Sequence, residues 1–248
     1  MKNTTLIDGD ILVYKAACGA EKEVKWPDGV WTYAADEQDA IDIFETKLKE
    51  ITDALDSDTV IICMSDHTAN FRKEIYPPYK ASRGSSRKPL LLKFMQQYVR
   101  DNHECNESPT LEADDIMGIL ATCGLYEDPV IVTIDKDLAQ VPARIYNPDT
   151  QEMSLPEMRD PHRFFMQQVL TGDPVDNFPG CPGVGEKTVQ KLFKNINDND
   201  LLWDVVVAQY EKKGLTKDDA LVQARCAYML QADNYKNGEI TMWGTMYE

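Results

Sequence analysis

Thr59-Val60-Ile61-Ile62-Cys63-Met64-Ser65-Asp66 is an apolar, β-branched run that stops on an acid, and the design occurs twice more in the chain. Thr4-Thr5-Leu6-Ile7 leads into Asp8, and Val130-Ile131-Val132-Thr133-Ile134 leads into Asp135. Short continuous runs of this kind read as strands buried on both faces. Between the first two, Ile41, Phe44, Leu48, Ile51 and Leu55 recur at helical spacing, which predicts an amphipathic helix starting near Asp36. Between the second and third, helices are predicted over about 90–100 and 109–123. Strands alternating with helices imply a mainly parallel sheet with helices on both faces. Trp26-Pro27-Asp28-Gly29-Val30-Trp31 reads as a hairpin tip. Beyond about Pro156 the pattern turns helical, over 163–170, 187–193, 201–210 and 217–230.

In an open parallel sheet the carboxyl ends of the strands border the ligand crevice. Asp8, Asp66 and Asp135 would therefore converge at one edge, with Asp10 and Asp137 two residues beyond the first and third. Two further acid sets follow: Glu112-Ala113-Asp114-Asp115 at the start of a helix, and Asp173-Pro174-Val175-Asp176 on a turn. Each set has a plainer reading. Acids in a first helical turn favour the helix dipole, Asp-Lys-Asp after a strand suits a turn and cap, and Gly-Asp-Pro suits a helix stop. If the acids do meet, their repulsion demands cations. Oxygen-only ligation without His or Cys selects hard divalent ions, Mg²⁺ or Mn²⁺. A pair of such ions is a usual device for phosphodiester hydrolysis.

Charge is unevenly spread. From Arg72 to Arg100 there are eight basic residues and one acid, net +7, whereas the rest of the chain has 18 basic and 41 acidic residues, net −23. Half of the basic cluster lies in the Pro-, Gly- and Ser-containing segment Tyr76–Pro89, and a long loop with that charge suits a polyanion; a solvated charged loop is the plainer alternative. Gly183-Val184-Gly185 before a helix bearing Lys187, Lys191 and Lys194 offers backbone N–H groups to phosphate, or is a simple helix–helix turn. The six cysteines form no C-x-x-C pair and read as free thiols in a reducing compartment. No apolar run reaches membrane-spanning length, and the N-terminus enters a strand-like segment directly, so a cytoplasmic location is expected.

The order Ile7-Asp8-Gly9-Asp10, Asp66 with Phe71-Arg72, Tyr79-Lys80-Ala81-Ser82-Arg83, Glu112-Ala113-Asp114-Asp115, Asp135-Lys136-Asp137, and Gly172-Asp173-Pro174-Val175-Asp176-Asn177 with Gly183-Val184-Gly185 resembles the structure-specific 5′-nuclease (flap endonuclease) superfamily. The length, the stretch Lys80 to Pro89 and the tail from Arg225 to Trp243 resemble the 5′→3′ exonucleases of short-tailed bacteriophages. This resemblance implies a PIN-like three-layer α/β/α core over 1–158, with a basic arch at about 71–100. A helical region over 159–248 would contain a helix–three-turn–helix DNA-binding motif. It implies a two-metal 5′→3′ exonuclease acting on duplex DNA with a 5′ end, with 5′ flaps and RNA–DNA hybrids as further substrates, working as a monomer.

By motif, Asp8, Asp66, Glu112, Asp114 and Asp115 would serve the first metal, and Asp135, Asp137, Asp173 and Asp176 the second. Lys80 and Arg83 would contact the scissile phosphate with help from Arg72. Tyr79 would stack on a terminal base, Arg87, Lys88, Gly183, Gly185, Lys187 and Lys191 would hold DNA, and the Cys181–Gly185 loop would seat K⁺. Asp10 stands where many relatives have Asn and is given no role. A segment 84–100 shorter than a full helical arch favours exonucleolytic action over flap threading. One rival is a haloacid-dehalogenase-type phosphatase with Asp8 as nucleophile; Leu12 stands where that family expects Thr or Val, and the reading leaves Glu112–Asp115 unused. Two others are a non-catalytic nucleic-acid-binding relative, which should have lost metal-site acids, and a PIN-type ribonuclease, which should lack the Gly183–Gly185 hairpin.

Overall fold

The computed structural model describes residues 3–85 and 87–245, without the side chains of Arg83, Ser85 and Asp200. In chain order its elements are β1 (Thr4–Asp8), α1 (Gly9–Gly19), β2 (Glu21–Lys25), β3 (Trp31–Ala35), α2 (Glu37–Leu55), β4 (Thr59–Cys63), α3 (Phe71–Ile75), α4 (Leu92–Asn102), β5 (Cys105–Asn106), α5 (Ala113–Thr122), β6 (Val130–Val132), β7 (Arg144–Asn147), β8 (Glu152–Ser154), α6 (Pro161–Thr171), α7 (Glu186–Phe193), α8 (Leu202–Glu211), α9 (Lys217–Ala227), β9 (Tyr235–Lys236) and β10 (Glu239–Ile240). The central sheet has the order β5-β4-β1-β6-β7-β8, parallel throughout except where β8 returns antiparallel to β7.

All five residues of β1 are buried, as a central parallel strand covered on both faces requires. Ile7 lies between Ile62 of β4 and Val132 of β6. One face of the sheet carries α1, α2 and α4 around Val13, Phe44, Ile62 and Met95. The other carries α5, with Leu6, Met117 and Ile131, joined by Met229 and Leu230 from the chain's end. A third core, from Phe165 to Trp203, Tyr210 and Ala224, is built from α6 to α9 and also takes in Tyr79 from the basic segment.

The predicted α/β architecture with its mainly parallel sheet is what the chain adopts. The sequence reading missed α1, β5 and the strands β7 to β10. The helix expected over 109–123 is shorter, because Glu112 is extended (φ −91°, ψ 159°) and serves as the N-cap of α5. The basic segment is less irregular than its composition suggests, with α3 at its start and a 3₁₀ turn over Ala81–Ser85. The six cysteines are free.

Helix α1 starts directly after β1 because Asp8 caps it, its Oδ1 accepting from the Ile11 N–H at 3.1 Å. The cap drives the first turn against β4. A Cβ on Gly9 would lie 2.5 Å from Met64 Sδ and 2.8 Å from the Cys63 carbonyl, so only glycine fits. Gly9→Ala should lower stability by about 1–3 kcal/mol in urea unfolding, whereas Gly84→Ala, with open space around it, should change it little. Equal, small losses would show that α1 yields easily.

Candidate active site

The carboxyl ends of β1, β4 and β6 open onto one edge of the sheet, and each of the three acids found there also has a local structural role. Asp8 caps α1 and accepts the Thr133 hydroxyl on Oδ2 at 2.9 Å. Asp135 accepts the Asp137 N–H at 2.8 Å and so caps the 3₁₀ turn Lys136–Gln140. Asp66 braces its own loop: it takes N–H groups from Thr68 (2.7 Å), Ala69 (3.3 Å) and Thr110 (2.8 Å), as well as the Thr68 hydroxyl (2.5 Å). The capping readings are true here, and they leave the question of charge open.

Electrostatics divides the acids. Burial, then the nearby Asp10 carboxylate and more weakly Asp135, pushes Asp8 up to about 7. Asp114 is raised well above the carboxylate range by burial, Asp8 and Asp135. Asp137 rises to about 7 through burial, Asp135, Asp173 and Asp176. Two neighbourhoods emerge, one of Asp8, Asp10, Asp114 and Asp135, the other of Asp135, Asp137, Asp173 and Asp176, with Asp135 common to both. Asp137 Oδ1 is buried with no hydrogen-bond partner among the described residues. A crowded, oxygen-only donor set with an orphaned carboxylate oxygen fits a hard divalent cation. Among the described residues no three such side chains already meet around one point.

The remaining acids expected at the first metal have other partners. Asp115 is fully buried and receives both ends of the Arg72 guanidinium at 2.7 Å, together with the N–H groups of Glu112 (3.2 Å) and Leu230 (3.1 Å). Its acceptor positions are taken, so the expectation that Asp115 serves a metal is corrected. Asp66, held at about 2 chiefly by the Thr68 hydroxyl and the Thr110 N–H, is likewise committed to its loop, and Asp10 is the acid that stands beside Asp8. Glu112 is drawn the other way: burial would raise it, but Lys80 and Arg72 hold it near 2.

Two expected DNA contacts are also corrected. Arg72 is 0 % exposed. Its five N–H donors go to Glu112 (3.2 Å), Asp115 twice, the Cys226 carbonyl (3.0 Å) and the Tyr228 carbonyl (2.6 Å), which leaves nothing for a phosphate. Tyr79 is also 0 % exposed, with its hydroxyl between Glu112 and Asp176, so its ring cannot stack on a base.

Lys80 pairs with Glu112 and lies 3.4 Å from Asp176, while still reaching a cleft of about 540 Å³. That cleft is also lined by Asp10, Asp66, His67, Lys73, Arg87, Lys88 and Glu112, and thus joins acids to the basic segment. His67, which sequence reasoning passed over, sits 3.4 Å from Asp10, and hydrogen bonding to that carboxylate raises it. Arg87 is paired with Glu21 at 2.6 Å and covers the Tyr33 ring at 4.0 Å. The Arg83 side chain lies outside the described residues. Lys187, Lys191 and Lys194 are exposed along α7, and Gly183 holds a left-handed turn (φ +72°) ahead of it, whereas Gly185 is extended. The Cys181 carbonyl accepts the Val184 N–H at 3.1 Å inside that loop.

Arg72→Ala should cost about 3–5 kcal/mol in unfolding free energy, because it strands Asp115 and Glu112 as buried charges. A stable variant with weakened DNA affinity would restore Arg72 to the interface. Asp8 and Asp137 favour the neutral form in the folded state, so their effect on stability is absent below about pH 4 and grows as pH rises through 7. Glu112 works oppositely, stabilising above its unfolded value and losing that contribution as pH falls towards 2. Metal-free protein should therefore be most stable near pH 4–5 and lose on the order of 3 kcal/mol by pH 8, with Mg²⁺ restoring it. Thermal melts across pH with EDTA and with Mg²⁺ check this, and identical curves would contradict it.

Residues 3–164 match the family described as the 5′-3′ exonuclease, N-terminal resolvase-like domain. Among relatives, an exodeoxyribonuclease of Enterobacteria phage T3 is 27% identical, covering 98% of this chain and 93% of its own. An exonuclease of Escherichia phage T7 is 26% identical over the same shares. In fold, the chain is similar to the D15 protein of bacteriophage T5 co-crystallised with metal ions, with a TM-score of 0.66, 16% identity and 91% of each chain covered. The T5 D15 flap endonuclease variant in a complex with DNA and metal ions superposes with a TM-score of 0.67 at 16% identity, again over 91% of each chain. By the extent of the match over its first 164 residues, this chain belongs to the 5′-3′ exonuclease family.

Proposed function

We propose that the protein is a divalent-metal-dependent 5′→3′ exonuclease that hydrolyses phosphodiester bonds from the 5′ ends of duplex DNA, in phage DNA metabolism. 5′ flaps and RNA in RNA–DNA hybrids are secondary substrates. The observation that carries the reading is the pair of linked carboxylate neighbourhoods, with the unpartnered Asp137 Oδ1 among them, next to a cleft lined by Lys73, Lys80, Arg87 and Lys88. Family membership and the phage T3 and T7 relatives support it.

Asp8, Asp114 and Asp135, with Asp10 beside them, would hold one cation, and Asp135, Asp137, Asp173 and Asp176 the other; Glu112 joins the first if Lys80 releases it. Mg²⁺ or Mn²⁺ fits these donors, and such ions supply an ionised water and charge neutralisation at the leaving oxygen. The chain's own residues do the rest. Lys80, and Arg83 three residues along the chain, would orient the scissile phosphate. Arg87, Lys88 and the exposed lysines of α7 hold the backbone without reading sequence. The Cys181–Gly185 loop is the seat assigned to K⁺. Residues 1–158 form the nuclease core, 159–248 the helical DNA-holding part, and the protein acts as a monomer in the host cytoplasm. Phosphatase chemistry gains no support, because the matching family and the phage T3 and T7 relatives are exonucleases.

Product ladders from 5′-labelled and 3′-labelled blunt, recessed and flapped duplexes should show stepwise release from the 5′ end, abolished by EDTA. Asp135→Ala and Asp173→Ala should each lower turnover by about 10³-fold or more while duplex binding stays measurable. Unchanged turnover in either variant, or metal-independent cleavage, would refute the assignment.

A further inference from the structure

We infer that Tyr79 is a positioning residue that ties the foot of the basic segment to the carboxylate site, so that gripping DNA and binding cations become one event. The inference rests on the nuclease reading above, and it starts from the hydroxyl. Tyr79 Oη lies 2.9 Å from Glu112 Oε2 and 3.0 Å from Asp176 Oδ2, two acids 64 residues apart in the chain and drawn from different sets. The group is fully buried. A phenol has one proton to give and lone pairs to accept with, so it draws the two acids together while fully satisfying only one of them at a time.

The main chain around Tyr79 is fastened to the same turn. The Lys80 N–H donates to the Asp176 carbonyl at 2.8 Å, and the Asn177 side-chain amide donates to the Pro78 carbonyl at 2.7 Å. Lys80 and Asn177 both adopt left-handed backbone conformations, with φ of +54° and +59°. Non-glycine residues hold that conformation only where their surroundings impose it. The Tyr79 ring stacks on Phe178, with centroids 6.4 Å apart and planes at 23°. Phe178 in turn exchanges backbone hydrogen bonds with Asp173 at 2.8 and 3.1 Å. Displacing residues 78–80 therefore displaces Asp173 and Asp176. Lys80, the next residue, is the one aimed at the phosphate.

Two sites joined in this way must influence each other equally in both directions. Tyr79→Phe removes the hydroxyl and keeps the ring in its packing. With Ca²⁺, which occupies carboxylate sites as a probe of binding, wild-type protein should bind a 5′-recessed duplex about tenfold tighter than in EDTA, and Tyr79→Phe less than threefold tighter. Calorimetric Ca²⁺ affinity without DNA should fall several-fold in the variant, and kcat with Mg²⁺ should drop about tenfold with KM for DNA within twofold. Melting temperature should shift by no more than a few degrees. Phe44→Leu, in the core of α1, α2 and α4 and outside this link, serves as the comparison: it loosens packing and should lower the melting temperature while keeping the Ca²⁺ effect on DNA affinity. The inference is overturned if wild type shows no Ca²⁺ effect, if Tyr79→Phe retains it, or if Tyr79→Phe unfolds. Absence of Mg²⁺-dependent cleavage by wild type would instead refute the nuclease reading, and the Ca²⁺ measurements would still decide the role of Tyr79.

Discussion

Crowding of like charge is the constraint around which this molecule is arranged. A parallel sheet with β1 at its centre brings Asp8 and Asp135 to one edge, and α5 and the Asp173–Asn177 turn add Asp114, Glu112 and Asp176. Buried carboxylates repel unless they are protonated, hydrogen-bonded or paired with cations. The fold uses all three solutions at different positions. Glu112 and Asp115 are paired with cationic side chains, Asp66 is saturated with N–H and hydroxyl donors, and Asp8, Asp114 and Asp137 are pushed towards protonation. The last group is where an external cation lowers the free energy most. The acids that look alike in sequence are thereby sorted into those the protein has already neutralised and those it has not.

Arg72 performs much of that sorting. Each of its five donors has an acceptor, two of them backbone carbonyls at Cys226 and Tyr228, at the end of α9 and some 150 residues along the chain. The residues just after that helix place Met229 and Leu230 against α5, and the Leu230 N–H completes Asp115. Helix α5, α3 and the chain segment after α9 are therefore joined through one guanidinium rather than through apolar packing alone. Removing a partner from such a network leaves charge without compensation, which costs far more than the pair contributes when intact.

Much of the fold could be read in the sequence, for a specific reason. β1, β4 and β6 are buried runs of Ile, Val and Thr, and α2 is a half-exposed helix, so both patterns are visible in the residues themselves. Helix α1 was missed because Ile11, Leu12, Val13, Ala16, Ala17 and Cys18 surround it almost completely with apolar side chains. The face it turns to solvent includes Tyr14 and Cys18 beside Lys15, so no strongly polar stripe betrays its period. β7 and β8 are three or four residues long and add to an existing edge, too short for alternation to register. In the site, the motif acids and their location at the strand ends could be read. Their division could not, since much of it depends on partners distant in the chain, Lys80 on Glu112 at 32 residues and Arg72 on Asp115 at 43. Nothing local in Phe71-Arg72 says that its arginine points inward, and a tyrosine between Pro78 and Lys80 in a Pro- and Gly-containing segment reads as exposed until Phe178 and the third core cover it. Asp10 could be given no role from the sequence because many relatives have Asn there, whereas in the fold its carboxylate is the strongest charge acting on Asp8.

The charge asymmetry of the sequence takes on a different meaning once these partners are known. A segment of net +7 on a body of net −23 suggested an outward-facing grip on a polyanion. Of its eight basic residues, Arg72 is wholly internal, Lys80 sits on Glu112, Arg87 on Glu21 and Arg100 on Glu107. Half of the basic segment thus acts as counter-charge for the protein's own carboxylates. The same segment supplies the charge facing the cleft through Lys73 and Lys88. An incoming phosphate and an incoming cation would compete with these internal pairs in opposite senses, the phosphate for Lys80 and the cation for Glu112. The pair between them separates most favourably when both arrive, because each freed charge then meets a new partner at once. At Glu112 the fold thus supplies its own counter-charge through Lys80, in contrast to Asp8, Asp114 and Asp137, which have no such partner cation among the described residues.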